Sequence, residues 1–574
     1  MRIHEVEIEN FRGIAQFSWR PCSGLTAFIG PGDSGKTTIL DALGLLFSPR
    51  WNHTFTDNDF HGGNKSAQDI VIRATIVDPP RELLRLEAFA GYTRGVNPQT
   101  GVVVDEPNDE DPALTVELRV DRYLEPLWQV IADRQPEAAQ LRASHRAAFG
   151  VARIGGDSLT DLRWSRNSAL LRMTGVDDRT PTAQALLDAT RAAKEATLEA
   201  FTGLNSIATK VTTTAHMLRA IDPNATLTAE LNADSFQLSE GAVSLHNGSV
   251  PIERHGLGSR RLTGTAVQLA ESADARVLLV DEVESGLEPH RIRHLIRALE
   301  TRLQVTGALS QVFMTTHSPV VLRELTYSQL GVVRHSSTAT RIFTPVADMQ
   351  GILRANPESF LAPSVLVCEG ATEVGFSRGV YSHAEAKDDS IIAAVGHANA
   401  GGETKLVDYA SAFSSLGYRV AIFCDHDTSL DLSEVPAEIP IIRCDKRDHQ
   451  KGNCLEQQIA DSLGPHGLKN ALQHGVNAIG TESVIATFGN RNCSPAIFHA
   501  ALIASPLTRE DLDKVRFALG MEAGYGNHKP DWFKSVTGGE HLADLLINDP
   551  GFNSQSPGGR IVSELEAWGA WRTT

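Results

Sequence analysis

One octapeptide constrains the fold of this 574-residue chain more than any other segment. Gly30–Thr37, with the sequence GPGDSGKT, follows the apolar segment 25–29 (LTAFI) and precedes the apolar segment 39–47 (ILDALGLLF). A strand, a glycine-rich loop and a helix in this order form a phosphate-binding loop, because the loop amides and the helix N-terminus face phosphate oxygens. The pattern therefore predicts an α/β nucleotide-binding domain.

Within this loop, Lys36 is predicted to reach the β- and γ-phosphates, and Thr37 is predicted to bind Mg²⁺. The bare motif occurs by chance in roughly one or two per cent of chains of this length, so the strand and helix around it matter. The residues predicted to bind the cofactor ATP here are Gly30, Gly32, Asp33, Ser34, Gly35, Lys36, Thr37 and Thr38.

Two later segments end in side chains that ATP hydrolysis requires. The apolar segment 278–280 runs into Asp281 and Glu282. We expect Asp281 to lie beside the metal and Glu282 to polarise the attacking water, although paired acids are also typical of a helix start. The predicted strand 310–315 leads to His317, which is placed to contact the γ-phosphate.

A glycine turn lies shortly before the acidic strand. In the segment 256–261 (GLGSRR), Gly258 allows a tight turn and Ser259 can cap a helix. A capped helix N-terminus is a second anion-binding geometry, so both residues are predicted to bind nucleotide.

A second group of carboxylates follows predicted strands near the C-terminus. Glu369 follows the segment 365–368 (VLVC), and Asp425 and Asp427 follow the segment 420–424 (VAIFC). Ligands of parallel α/β sheets bind at the carboxyl ends of the strands, and alternate residues of an extended chain point the same way. Clustered carboxylates repel one another unless they are protonated or bind a cation, and oxygen ligands suit Mg²⁺ or Mn²⁺. The alternative is that Asp425–Asp427 is a simple turn.

Length and periodicity indicate about three domains of α/β class. We expect an ATPase domain over 1–345, a linker over 346–363, and a second α/β domain over 364–574 that is mostly helical after residue 464. The middle of the first domain, 80–251, is expected to be a helical insertion, with an exposed loop at 97–111. The long helices at about 182–222 are either a protruding dimer contact or a packed hairpin.

Charge and composition exclude several classes of protein. The formal net charge is −17, from 53 Lys and Arg against 70 Asp and Glu, which argues against a uniformly basic nucleic-acid-binding surface. No apolar run is long enough to span a membrane and the charged start is unlike a signal peptide, so we expect a cytoplasmic protein without a membrane partner. Six arginines indicate either a local DNA-binding surface or a solvated helical face: Arg142, Arg146, Arg153, Arg163, Arg166 and Arg172.

Taken in order, the motifs ENFRGI, GPGDSGKTT, GLGSRRL, LLVDEVESGLEP and TTHSP resemble the ABC-type ATPase heads of the SMC, RecF and OLD (overcoming lysogenisation defect) group. In that group two heads sandwich ATP between the phosphate loop of one and the signature serine of the other. The resemblance implies that Gly258 and Ser259 serve as the signature and that the ATPase domains form a homodimer or higher homo-oligomer. The signature differs from LSGGQ, and Val283 stands where many members have proline.

The C-terminal acids resemble a Toprim domain, the metal-dependent fold of topoisomerases, some primases and OLD nucleases. The resemblance implies metal ligation by Glu369, Glu373, Asp425, Asp427 and Glu456, and assistance at the phosphate by Lys534, with Lys529 as the alternative. His426 is a spacer in this interpretation. Because Tyr525 lacks a convincing context for a topoisomerase nucleophile, hydrolysis of phosphodiesters fits better.

These resemblances imply an OLD-family, ATP-dependent DNA endonuclease, similar to the nuclease subunit of Gabija-type bacterial anti-phage systems, where a helicase is the partner. The alternatives are a RecF/SMC-like repair clamp whose Toprim domain binds without cutting, an ABC transporter head, and a Toprim primase. Intact Glu369, Asp425 and Asp427 argue against a Toprim domain that only binds, and a transporter head leaves these acids unexplained. A primase is disfavoured because no zinc-binding or helicase module accompanies the Toprim pattern.

Overall fold

The computed structural model contains two compact units, Met1–Val346 and Ala347–Thr574. None of the described helices is both long and apolar enough to cross a lipid bilayer. The residues that the structure describes are 1–50, 53–63, 68–85, 87–107, 110–154, 162–164, 168–173, 202–231, 243–271, 275–305, 309–336, 338–387, 394–426, 435–445, 454–490, 492–503, 505–520 and 533–570.

Strands and helices alternate irregularly in the first unit. Its strands are β1 (Arg2–Phe11), β2 (Ile14–Trp19), β3 (Gly24–Ile29), β4 (Ile70–Val77), β5 (Arg94–Val96), β6 (Val103–Val104), β7 (Asp111–Val120), β8 (Pro126–Ile131), β9 (Ala139–Gln140), β10 (Val151–Ile154), β11 (Leu227–Leu231), β12 (Val243–Asn247), β13 (Val250–Pro251), β14 (Val277–Val280), β15 (Gln311–Thr315), β16 (Leu330–His335) and β17 (Thr340–Phe343). Its α-helices are Lys36–Leu46, Arg81–Leu84, Glu87–Ala90, Ala143–Ala148, Ala169–Arg172, Thr202–Met217, Leu257–Glu271, Pro289–Gln304 and Pro319–Glu324.

A mostly parallel sheet forms the centre of the first unit. Its strand order is β10-β14-β15-β3-β16-β17, and β17 is antiparallel to its neighbour. Apart from Gly24, every residue of β3, β14 and β15 is buried, as expected of strands that are covered on both faces. The strands predicted at 25–29, 276–280 and 310–315 are confirmed to within one residue.

An antiparallel sheet contains the N-terminal strand. Its order is β2-β1-β4-β7-β5-β6, and it continues from β7 through β8 to β9. Val6 and Ile8 of β1 are buried, and the alternating Glu5, Glu7 and Glu9 are half-buried, as in a strand with one face on the core. This buried face shares one apolar core with the helix Lys36–Leu46. A separate small sheet has the order β11-β12-β13.

The expectation of a helical middle over 80–251 is wrong for much of that segment. The stretch 111–140 forms β7, β8 and β9, and the predicted loop at 97–111 contains β6 and the first residue of β7. Residues 114–120 of β7 (LTVELRV) alternate between apolar and polar side chains, so the sequence does indicate this strand and the expectation of a helix left that signal out. The helix Thr202–Met217 lies inside the expected 182–222, whereas residues 174–201 are outside the described residues.

Among the six arginines of segment 142–172, one is buried and two pair with carboxylates, whereas a DNA contact by this segment stays a prediction. Arg163 pairs with Glu253, and Arg153 pairs with Asp41. Arg146 is buried and donates to the carbonyl oxygens of Ser48, Leu141 and Arg50 at 2.6, 3.0 and 2.7 Å. Arg166 and the side chain of Arg172 are outside the described residues.

Arg146 is a structural cation. Its guanidinium lies 4.1 Å from the ring centroid of Trp128, and burial lowers its pKa to about 10. We expect Arg146→Met to lower the free energy of unfolding by about 3 kcal/mol, because three backbone carbonyls, one of them buried, lose a charged donor. Calorimetry of the full chain checks this against Arg122→Met, whose guanidinium lies over exposed Tyr123. An equal effect of the two variants would contradict the prediction.

The second unit combines a parallel sheet with many helices. Its strands are β18 (Ser364–Cys368), β19 (Val395–Asn399), β20 (Arg419–Cys424) and β21 (Ile441–Arg443), in the order β19-β18-β20-β21 and all parallel. Its α-helices are Gln350–Ala355, Ala371–Lys387, Leu406–Ser415, Leu455–Ser462, Pro465–Ile479, Thr481–Gly489, Pro495–Leu502, Arg509–Gly520, Val536–Ile547 and Pro557–Gly569. The helical character after residue 464 is confirmed.

Candidate functional site

Three neighbouring strands bring the predicted nucleotide-binding residues to one edge of the parallel sheet. β15 pairs with β14 on one side and with β3 on the other, and all three run in the same direction. Their carboxyl ends therefore meet, so the loop 30–37, the acids after β14 and the segment after β15 lie side by side.

The loop after β3 has the conformation that cradles phosphate. Gly30, Asp33 and Gly35 have φ angles of 149°, 57° and 94°, in the region that favours glycine. A Cβ on Gly30 would lie 2.5 Å from the carbonyl oxygen of Val333, so no larger residue fits there. Gly32 is exposed, Ser34 is buried, and Thr38 is in the first turn of the helix Lys36–Leu46.

Lys36 is held inside this loop. Its ammonium donates to the carbonyl oxygens of Gly30 and Pro31 at 2.9 and 2.7 Å and to Ser34 Oγ at 3.2 Å. Burial lowers the pKa of Lys36 to about 8, and the charges of Asp33 and Asp281 oppose that shift. A buried cation with only neutral oxygens within hydrogen-bonding distance suits an anionic ligand such as a nucleotide phosphate.

Asp281 joins the loop to β15. Its Oδ1 accepts from Thr37 Oγ1 at 3.2 Å and from Thr315 Oγ1 at 2.6 Å. Thr37 and Asp281 are the two residues predicted to lie beside Mg²⁺, and a hydroxyl next to a carboxylate is a donor set that suits this ion. Glu282 and His317 both have exposed side chains at the same edge, and Glu282 has a φ of 44°.

Alternating charges connect Asp281 to the N-terminal strand. Arg153 Nη2 lies 3.5 Å from Asp281 Oδ2 and 2.5 Å from Asp41 Oδ1. Asp41 also pairs with Arg12, and Arg12 Nε lies 3.0 Å from Asp59 Oδ1. The sequence analysis missed these partners, because ion pairs between residues far apart in sequence leave no local pattern.

Gly258 and Ser259 are the second and third residues of the helix Leu257–Glu271, so Ser259 lies within the first turn and the prediction that it caps the helix is wrong. Ser259 Oγ accepts from Arg291 Nη1 at 3.3 Å, so its described polar contact is with the helix Pro289–Gln304 and not with Lys36 or Thr37. Leu257, at the helix start, has 60% of its surface exposed.

The carboxylates of the second unit follow adjacent strands. Glu369 follows β18 and Asp425 follows β20, and these strands pair in parallel. The amide of Asp425 donates to Glu369 Oε2 at 3.2 Å. The amide of Leu455, at the start of a helix, donates to Asp425 Oδ1 at 2.8 Å, and Arg443 Nη2 donates to the carbonyl oxygen of His426 at 2.7 Å. Leu455 and Arg443 were not predicted.

Glu373 and Glu456 are both buried in this region, with 5% and 7% of their surfaces exposed. Glu373 Oε2 accepts from the amide of Gly370 at 2.9 Å. Neither carboxylate oxygen of Glu456 has a hydrogen-bond partner among the described residues. Lys534 Nζ lies 3.9 Å from Glu456 Oε1, so the structure brings these two predicted residues together.

Close helix packing positions Lys534. A Cβ on Gly375 would lie 1.9 Å from the carbonyl oxygen of Val536, and one on Gly379 would lie 2.6 Å from Ala543 Cβ. The helices Ala371–Lys387 and Val536–Ile547 therefore approach with almost no side chain between them. This approach holds the residues just before Val536 beside the first turn that carries Glu373.

The acids of the second unit raise one another's pKa values. Burial, followed by the charge of Glu456, raises the pKa of Glu373 to about 7. Burial and the charges of Glu373, Glu456 and Glu369 hold the pKa of Asp425 well above its usual range. The orphaned oxygens of Glu456 and this repulsion fit a bound divalent cation, which would neutralise the cluster.

The described residues do not form a complete metal site. No group of three histidine, cysteine or carboxylate side chains within the described ranges converges on a single ion position. Asp427, a predicted ligand, is outside the described residues, as are Lys529 and Tyr525.

Comparisons with known proteins bear on the first unit. No curated protein matches the chain. Three solved structures are similar over 60% of this chain. The first is an SMC head bound to the C-terminal winged-helix domain of ScpA, with 15% identity, 97% of that chain covered and a TM-score of 0.37. The others are a Pyrococcus furiosus SMC head with an extended coiled coil bound to the C-terminal domain of ScpA (14% identity, 96% of that chain covered, TM-score 0.38) and an SMC head from Thermotoga maritima (13% identity, 100% of that chain covered, TM-score 0.31).

One family model covers the residues that build the nucleotide site. It carries the description "AAA domain, putative AbiEii toxin, Type IV TA system" and matches residues 25–323. The match contains the loop 30–37, Asp281, Glu282 and His317, and supports ATP binding by an ATPase domain of α/β class. Because it spans more than half of the chain, the protein belongs to this family of AAA-type ATPases.

Proposed function

We propose that this chain is an ATP-hydrolysing, metal-dependent DNA endonuclease of the OLD kind. The ATPase domain would be 1–345 and a Toprim nuclease domain would be 364–574. The observation that carries the proposal is the buried carboxylate cluster at the carboxyl edge of the second sheet, where the two buried oxygens of Glu456 have no hydrogen-bond partner among the described residues.

A buried cluster of carboxylates destabilises the folded state unless bound cations neutralise it. Burying carboxylates without counter-charges costs several kcal/mol, and Lys534 supplies a single positive charge 3.9 Å from Glu456. Oxygen donors of this type favour Mg²⁺ or Mn²⁺. The residues that would hold the ions are Glu369, Glu373, Asp425, Asp427 and Glu456.

Bound divalent ions would activate a water molecule and neutralise the leaving oxygen of a phosphodiester. The protein's own groups would orient these ligands and the substrate. The Leu455 amide fixes the Asp425 carboxylate, and Arg443 fixes the backbone that follows it. Lys534, half-buried beside Glu456, would contact a non-bridging phosphate oxygen of DNA and offset charge in the transition state.

The nucleotide site would control this activity. Lys36 and Thr37 would bind ATP–Mg²⁺, Glu282 would polarise the attacking water, and His317 would contact the γ-phosphate. Gly258 and Ser259 would contact the nucleotide of a second copy, so the active form would be a homodimer or larger homo-oligomer. A role in bacterial anti-phage defence, with a helicase partner, belongs to the same proposal.

A second candidate is a RecF/SMC-like clamp that binds DNA without cutting it. The observation that favours it is that no three ligands converge on one ion position within the described residues. In that case the carboxylate cluster would lack a complete metal site.

Plasmid cleavage distinguishes the two candidates. We expect the purified chain to nick or linearise plasmid DNA with Mg²⁺ or Mn²⁺, and we expect Asp425→Asn to reduce the rate by at least about 100-fold, because one anionic metal ligand is lost. The matched control is Asp445→Asn, since Asp445 is half-exposed and pairs with Arg560 outside the cluster. Parallel reactions with and without ATP show whether ATP raises or lowers the cleavage rate.

Cleavage that disappears in Asp425→Asn and persists in Asp445→Asn would support the nuclease. Equal cleavage by both variants would assign the activity to a contaminant and contradict the proposal. DNA binding and ATP hydrolysis without cleavage in either metal would favour the clamp.

A further inference from the structure

Glu284 links two loops of the ATPase site and was not predicted to act there. It lies in the segment after β14, three residues beyond Asp281. Its Oε2 accepts from Thr316 Oγ1 at 2.7 Å, and its Oε1 accepts from the backbone amide of His317 at 2.6 Å. One carboxylate therefore bridges the segment after β14 to the segment after β15 with both of its oxygens.

The residues that Glu284 contacts determine where the His317 side chain lies. Thr316 is fully buried, and its Oγ1 also accepts from the amide of Ser318 at 3.0 Å. Ser318 in turn caps the helix Pro319–Glu324. The turn around His317 is thus fixed on both sides while the imidazole itself is exposed.

The other end of the bridging segment is anchored to the helix that carries Ser259. Arg261 Nη2 donates to the carbonyl oxygens of Asp281 and Glu282 at 2.9 and 3.1 Å. The amide of Val283 donates to the carbonyl oxygen of Thr315 at 3.1 Å. A shift of this segment would therefore move the His317 turn with it.

We infer that Glu284 is a positioning residue for ATP hydrolysis, which acts by holding His317 at the γ-phosphate side of the site. Bonds to an ionised acceptor are stronger than neutral ones, so the carboxylate fixes the turn more firmly than neighbouring backbone bonds do. The inference rests on ATP hydrolysis by the first unit and is independent of cleavage by the second.

Two substitutions separate geometry from charge. Glu284→Gln keeps an acceptor for the His317 amide, and its NH₂ group can donate to Thr316 Oγ1, so both bonds can persist. Glu284→Met keeps the length of the side chain and removes both bonds. We expect Glu284→Met to lower kcat for ATP by at least about tenfold with KM changed by less than about threefold, and Glu284→Gln to stay within about threefold of wild type.

A double-mutant cycle with His317→Ala tests whether Glu284 acts through the histidine. We expect His317→Ala to lower kcat by at least about tenfold, and Glu284→Met to change it by less than about twofold in that background. Glu324→Met is the matched control, because Glu324 pairs with Arg293 and Arg297 at the surface and should leave kcat unchanged.

Multiplicative losses in the double variant would overturn the inference, because Glu284 would then act independently of His317. A His317→Ala variant with wild-type kcat would overturn it as well. If Glu284→Met fails to fold, a tenfold loss of kcat in folded Glu284→Gln would contradict the geometric role. An inactive wild-type chain would instead contradict ATP hydrolysis itself, and the cleavage assay would report separately on the second unit.

Discussion

Replacing Lys36 by methionine should weaken ATP binding by at least about 100-fold and abolish ATP hydrolysis. The ammonium lies among the carbonyl oxygens of Gly30 and Pro31 and is the cation closest to where the phosphates would bind. Methionine preserves most of the side-chain volume but cannot pair with a phosphate, and charge-assisted bonds of this kind contribute about 1.5–3 kcal/mol each.

The same substitution should change the stability of the ligand-free protein only slightly. Burial lowers the pKa of Lys36 to about 8, which means that the fold disfavours the charged form. The sign follows from linkage: a lysine whose pKa falls on folding costs stability below that pKa, and at pH 7 methionine removes the cost. Methionine also removes the three hydrogen bonds of the ammonium to Gly30, Pro31 and Ser34, which stabilise the fold as those of Arg146 do. The two effects oppose each other, so we expect a Tm within a few degrees of wild type together with lost affinity.

Calorimetric titration with a non-hydrolysable ATP analogue measures the affinity, and thermal unfolding measures the stability. Lys514→Met is the matched control, because Lys514 pairs with Glu510 on a surface helix of the second unit. Tight analogue binding by Lys36→Met would show that the loop 30–37 is not the nucleotide site.

Glu456→Gln should abolish DNA cleavage and, in metal-free buffer, raise the Tm. The variant removes a negative charge from a carboxylate that has no hydrogen-bond partner within the described ranges and that repels Glu373 and Asp425. Neutralising one member of a buried group of like charges stabilises the fold, whereas loss of a predicted metal ligand removes activity. We expect a Tm several degrees higher and a cleavage rate at least about 100-fold lower.

The stability of the metal-free protein should fall as the pH rises. The pKa of Glu373 is near 4.5 in the unfolded chain and about 7 in the folded one, so the folded state binds the proton more tightly. Metal-free wild type should therefore lose stability as the pH rises from about 4.5 to about 7, by an amount on the order of 3 kcal/mol. Glu456→Gln should flatten this dependence, because it removes the main charge that raises the Glu373 pKa.

Thermal unfolding of the full chain in chelator, from pH 5 to pH 8, tests this prediction with Asp445→Asn as the control. Saturating Mn²⁺ should raise the Tm of wild type more than that of Glu456→Gln. A lower Tm for Glu456→Gln than for wild type in chelator would contradict the prediction, because the Glu456 carboxylate would then stabilise the fold without a bound cation.

The local parts of both sites could be predicted because their signals lie within one stretch of sequence. The loop 30–37 combines glycines at positive φ with a lysine and a threonine at the start of a helix, and its neighbours are apolar. The acids at the carboxyl ends of β14, β18 and β20 were predictable for the same reason, since each follows a buried strand directly.

The remaining features depend on contacts between distant segments. Glu284 resembles any exposed acid in the sequence, and its role appears only when β14 and β15 lie side by side. The strand β7 is different, because its residues 114–120 (LTVELRV) alternate between apolar and polar side chains and so indicate a strand without any distant contact. Asp41, seen from sequence alone, is one polar residue in an apolar helix, and nothing nearby indicates that two arginines contact it.

The alternating charges that run from Asp59 through Arg12, Asp41 and Arg153 to Asp281 restrict how this sequence can drift during evolution. A neutral residue at 41 would leave two arginines facing each other, and a neutral residue at 153 would leave two aspartates facing each other. Either single step exposes a like-charge pair in a partly buried place. Tolerated substitutions at these positions should therefore occur in compensating sets. In homologues we expect all the members of this ion-pair network to be replaced together rather than one residue at a time.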